Sequence, residues 1–157
     1  TWPAFWTLGS NIATVPWPRS GELDIMEYAG NSPTKSTSAA HYANSLGLHE
    51  YKSGYQTHTA PLSNEFHTYG MLWTPNQVTF TFNGETTFVL KKSDTGLANW
   101  PFGPTAQGVH PKMYLILNLA MGGNLGGPIE SGLKQASMSF DWIRFSTING
   151  VGEVIQR

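Results

Sequence analysis

The stretch SGELDIMEYAG, residues 20–30, places three acids, Glu22, Asp24 and Glu27, within six positions. Leu23, Ile25 and Met26 fill the places between them, so the stretch reads as a strand. Successive strand side chains point to opposite faces. Glu22 and Asp24 therefore share a face, while Glu27, five places after Glu22, points the other way in a regular strand. A β-bulge adds one residue and restores the facing of everything after it. One bulge at Ile25–Met26 is therefore expected, with all three acids on one face.

Burying carboxylates is costly unless they are paired or functional. Retaining glycoside hydrolysis uses two carboxyl groups about 5–5.5 Å apart, one as nucleophile and one as acid/base. Neighbours on one face of a strand lie about 6.5–7 Å apart. A third carboxyl between the outer pair shares a proton with them and drives their pKa values apart. On spacing alone, a calcium or magnesium site and a solvated edge strand stay open as alternatives.

The rest of the 157-residue chain is poor in charge, with 10 acids against 9 Lys and Arg and a net charge of -1. That balance gives no electrostatic reason to expect nucleic acid or an anionic membrane as partner. There is no Cys, which excludes disulfides and thiolate metal sites. No run of 18 apolar residues offers a membrane span. With 39% hydrophobic and 13% aromatic residues the chain can bury a core. Its 17 Gly and 10 Pro favour short strands and turns over long helices.

Strand character recurs at Ala4–Leu8, Glu22–Tyr28, Ser36–Tyr42, Glu65–Trp73, Gln77–Phe82, Thr86–Lys91, Lys112–Leu119 and Ser137–Ser146. VTFTFNGETTFVL alternates and turns at Asn83-Gly84, a strong hairpin signal. MSFDWIRF alternates Met138, Phe140 and Trp142 against Ser139, Asp141 and Ile143. MYLILNLAMGG is apolar except for Asn118, as suits a strand buried on both faces. No segment has a helical period, and 91–99 holds a turn at most. The fold class is all-β, a sandwich of antiparallel sheets in one domain.

Several other residues have site chemistry. Trp17, between Pro16 and Pro18, suits stacking on a pyranose face. Trp73 and Trp142 lie in alternating strands and are expected in the core. The five His form no HExxH or close HxH pair, so a catalytic metal is not expected. Asn118 needs a partner for its amide, and a sugar hydroxyl would serve. MGGNLGGP is too unlike a phosphate loop to bind phosphate and reads as cleft rim.

GELDIME, preceded by TWPAFWTLG and WPRS, resembles the laminarinase-type branch of glycoside hydrolase family 16. The branch pattern is E-x-D-x-x-E with a bulge, where lichenase-like relatives have E-x-D-x-E. The resemblance continues through FHTYGMLWTPNQVTFTFNG, MYLILNLAMGG and MSFDWIRF in the family's order, so it covers nearly the whole chain. It implies a concanavalin-like β-jelly roll and a retaining endo-β-1,3-glucanase acting on laminarin-like glucan. In that reading Glu22 is the nucleophile, Asp24 the assisting acid and Glu27 the acid/base. Trp6 takes the place of a sugar-facing Trp, His41 that of a cleft His, and Asn118 that of a sugar-contacting Asn. No cofactor is implied for catalysis, although Asp141 matches a residue of a structural calcium site. The rival reading is a non-catalytic glucan-binding module or inactive fragment, since glucan-recognising relatives have lost the catalytic Glu residues. A secreted, extracellular protein is expected.

Two departures accompany the resemblance. Such sandwiches run to roughly 200–250 residues, and this chain opens where the family's later part does. The expectation is a catalytic domain over 1–157 lacking its N-terminal strands, with self-association or a missing N-terminal segment covering open edges. GPTAQGVHPK is also longer than the turn expected before MYLIL.

Overall fold

The structure, a computed structural model, describes residues 1–98 and 100–155. Eight strands form two antiparallel sheets. They are β1 (Trp2–Gly9), β2 (Glu22–Tyr28), β3 (Lys35–Ala43), β4 (His49–Thr57), β5 (Tyr69–Thr74), β6 (Gln77–Phe82), β7 (Glu85–Lys91) and β8 (Met113–Ala120). One sheet runs β4-β3-β2-β1-β8, and the other runs β5-β6-β7. No helix among the described residues is long and apolar enough to cross a membrane.

The sheets meet over a core of Leu23, Ile25, Ala40, Tyr42, Val78, Phe80, Leu90, Leu97, Trp100 and Phe102. Strand alternation explains its membership. Leu23 and Ile25 point inward between the acids of β2, and Ala40 and Tyr42 do so on β3. The three-stranded sheet packs over β2, β3 and β4. Gly21 turns the chain into β2 at φ +79°, and a Cβ there would lie 2.9 Å from the Phe102 ring. The core therefore leaves no room for a side chain at position 21.

Three expectations about strands are corrected. β4, sequence HEYKSGYQT, has no apolar alternation and was not among the expected strands. It is an edge strand whose inward positions are Glu50, Lys52, Gly54 and Gln56, opposite Tyr42, Ala40, Ser38 and Ser36. Gly54 admits Phe88 from β7, whose Cβ lies 2.7 Å from where a Gly54 Cβ would stand. The segment expected from Glu65 enters its ladder only at Tyr69. Before that, Thr68 N–H donates to Asn83 Oδ1 at 2.9 Å, and Asn83 N–H donates to Thr68 O at 2.7 Å, holding the chain at the hairpin turn.

The third correction concerns the C-terminal part. β8 is not buried on both faces. It is an edge strand beyond the reach of the smaller sheet, and Leu115 is 45% exposed. Ser137–Ser146 forms no strand, because no described strand lies alongside to complete its ladder. Phe140 keeps an edge-on contact with Phe5 at 6.3 Å. Trp142 is 57% exposed rather than in the core, whereas Trp73 packs against the core and donates its indole N–H to Phe102 O at 2.6 Å. The turn expected within 91–99 is the 3-10 turn Lys92–Asp94, residue 99 lying outside the described residues. A single helical turn, α1 (Gly123–Gly126), stands within the glycine-dense stretch where none was expected.

Candidate active site

The bulge lies where parity requires it. Against β1, Trp6 pairs with Asp24 and Phe5 with Met26, so Ile25 has no partner. Against β3, Asp24 pairs with Ala39 and Glu27 with Thr37, so Ile25 and Met26 together oppose Ser38. The Ser38 hydroxyl donates to Ile25 O at 2.9 Å and satisfies a bulge carbonyl. Neighbouring strands then frame the acids. Glu22 pairs with His41 on β3 and Leu8 on β1, and Glu27 pairs with Ala4.

Indole N–H groups hold the two outer acids. Trp17 Nε1 donates to Glu22 Oε2 at 2.7 Å, and Trp2 Nε1 donates to Glu27 Oε1 at 3.1 Å. Trp2 in turn packs against α1, where a Cβ on Gly123 would stand 3.0 Å from its ring. Asp24, between them, is 3% exposed. His41 Nε2 lies 3.2 Å from Asp24 Oδ2. That is ion-pair range without hydrogen-bond alignment, and Oδ2 stays buried with no hydrogen-bond partner.

Burial dominates the electrostatics, because a carboxylate loses water's solvation there. Burial first, then the field of Asp24, pushes Glu22 up to about 7, while His41 and the Trp17 hydrogen bond oppose the rise. Burial pushes Asp24 up to about 7, and the neighbouring Glu22 carboxyl opposes the rise. Glu27 also rises to about 7, by burial and then by Asp24, against the Trp2 hydrogen bond. Three carboxyls so placed titrate as a set. Near neutral pH the set holds both protonated and ionised members, which an acid and a nucleophile acting together need.

The other expected site residues gather at the same face. On β1, Trp6 donates its indole N–H to Asn118 Oδ1 on β8 at 2.7 Å. That bond leaves the Asn118 NH2 group able to donate elsewhere. Trp17, 44% exposed, presents its ring beside Glu22. Trp2 went unremarked in the sequence, although its parity with Trp6 on β1 puts both on the face of the acids. Sequence reasoning missed His49 and Tyr51, which stack on His41, because β4 carries no strand signal.

Glu22, Asp24 and His41 bring one oxygen or nitrogen each within 4.8 Å of one another, the one such acid and histidine group among the described residues. Asp141 stands exposed and outside it.

A two-sheet antiparallel sandwich with a carboxylate triplet on one face defines a class of carbohydrate-active proteins. The profile of Glycosyl hydrolases family 16 matches residues 1–144, and the chain belongs to that family. A glucan endo-1,3-beta-glucosidase of Cryptopygus antarcticus is 29% identical over 127 residues, covering 80% of this chain and 47% of that protein. The laminarinase catalytic domain of Thermotoga maritima superposes with a TM-score of 0.67 at 32% identity, over 83% of this chain and 51% of that one. LamA of Zobellia galactanivorans, in complex with laminaritriose and laminaritetraose, gives 0.69 at 28% identity, over 83% and 53%. The chain thus spans about half the length of these proteins.

Proposed function

We propose that this chain carries the cleft of a retaining endo-β-1,3-glucanase. Glu22 is the nucleophile, Glu27 the acid/base and Asp24 the assisting acid. The bulge at Ile25–Met26 carries this reading, because it alone returns Glu27 to the face of Glu22. Protonated Glu27 gives its proton to the glycosidic oxygen while the Glu22 carboxylate attacks C1, forming a glycosyl ester and freeing the leaving sugar. Ionised Glu27 then takes a proton from water, whose oxygen displaces Glu22 from C1 with net retention. Asp24, lying between them, raises both towards neutrality, so that Glu27 can hold the proton it must give.

Substrate recognition follows from the groups around the acids. The Trp17 ring offers an apolar face to a pyranose. Trp6 orients Asn118 so that its NH2 group can donate to a sugar hydroxyl, and His41 faces the same space from β3. The relatives' glucan substrates support a β-1,3-glucan here. Laminarin and mixed-linkage lichenan should be compared by reducing-sugar release, with product anomers followed by NMR. Retained-anomer cleavage of laminarin is expected. Laminarin binding without cleavage would instead assign a glucan-binding module.

A further inference from the structure

His49 reaches the site from a strand that carries none of the acids. On β4 it pairs with Ala43, and its Nε2 lies 2.8 Å from His41 Nδ1 on β3. The other nitrogen of His41 faces Asp24 Oδ2 at 3.2 Å. A neutral imidazole has one N–H. Of the two His41 nitrogens Nε2 is the one in ion-pair range of the Asp24 carboxyl, whose field favours a proton there; His41 Nδ1 is then the acceptor, and the hydrogen between the rings belongs to His49 Nε2. Partial loss of water on the side packed against its neighbours, then the nearby His41, lowers the His49 pKa, which favours a neutral ring.

The same ring makes a second contact. His49 lies 4.5 Å from the Trp17 ring, and Trp17 donates to Glu22. Tyr51 packs beside both imidazoles, 5.4 Å from His41 and 5.9 Å from His49. Both side chains that reach Glu22 and Asp24 from outside β2, Trp17 and His41, therefore rest on His49.

We propose that His49 is a positioning residue. By donating Nε2–H to His41 Nδ1 it fixes His41 in the tautomer that faces Asp24, and by packing on Trp17 it keeps the indole N–H on Glu22. Its effect on rate rests on the glucanase reading above. Its effect on the His41 tautomer does not.

His49→Ala removes the donor, and His49→Gln keeps an N–H in its place. His49 is exposed on an edge strand, so neither change touches the core. The His41 ring nitrogens should be read by 15N chemical shift in the full chain, alongside kcat and KM on laminarin. Wild type and His49→Gln should show His41 protonated at Nε2, and His49→Ala a mixture of tautomers. Loss of one hydrogen bond predicts a fall in kcat on the order of fivefold to tenfold in His49→Ala, with KM little changed and most of the rate restored by His49→Gln. A His41 tautomer unmoved in His49→Ala, or equal kcat losses in both variants, overturns the proposal. A wild type that leaves glucan intact removes the glucanase reading, and the tautomer populations still decide the role of His49.

Discussion

β2 and the segment Ser137–Ser146 carry similar sequence signals and meet opposite fates. Both are short stretches with polar or charged residues set among large apolar ones. β2 lies between β1 and β3 under the smaller sheet, so Leu23 is fully buried and the acids are held from both sides. Among the described residues Ser137–Ser146 has no strand beside it and no sheet above it, and Trp142 and Phe145 face solvent. Alternation states which face of a segment needs covering. Neighbours decide whether it becomes a strand.

The contrast is broken most severely at β2 itself. Glu22→Gln leaves packing intact and removes the proposed nucleophile, so laminarin hydrolysis should fall by at least about a thousandfold. Near-normal release of reducing ends by this variant would end the assignment of Glu22.

Packing gives the next largest effect. Leu23→Ala empties a fully buried site and should cost about 2–5 kcal/mol by urea unfolding. If that figure came out below about 1 kcal/mol, the core would not be where β2 places it.

The acids themselves predict a pH effect of intermediate size. The folded-state pKa of Asp24, about 7, lies above its usual 3.8. The folded state therefore binds more protons than the unfolded state between these values, and stability falls as pH rises through that window. Asp24→Asn removes this loss, so it should melt above wild type near pH 8, with the gap closing near pH 4. The negative field of Asp24 raises both Glu22 and Glu27. The same variant should therefore keep a reduced activity whose pH profile moves to lower pH. A melting gap that widened towards acid, or a profile moved towards alkali, would contradict the burial of Asp24 beside its neighbours.

The smallest effect is expected in the other region. Trp142→Ala should change unfolding free energy by no more than about 0.5 kcal/mol, since its ring is already in water. A loss of several kcal/mol would show that the segment is covered in solution and that the contrast with β2 is weaker than drawn.

Legibility in the sequence follows the same division. The bulge was legible because side-chain parity is a strict rule and Glu27 broke it. β2, β6 and the Asn83-Gly84 hairpin were legible because their apolar faces are buried and their turn chemistry is local. β4 was not, because an edge strand needs inward apolar residues least, and here it uses Gly54 to receive Phe88. The hold of Trp2 on Glu27 and of His49 on His41 depends on which strands lie side by side. β8 misled because an apolar strand reads as doubly buried, whereas its place at the sheet edge left Leu115 uncovered.

The indole contacts at the acids have a spectroscopic consequence. Trp2 donates to Glu27 and Trp17 to Glu22, so each outer carboxyl has a fluorophore attached to one of its oxygens. Ionising the carboxyl changes both the field across the ring and the strength of the N–H bond. The native emission of the protein therefore carries a titration signal from the two groups proposed to do the chemistry. Trp2→Phe and Trp17→Phe separate that signal into its two sources, with no dye or bound sugar required.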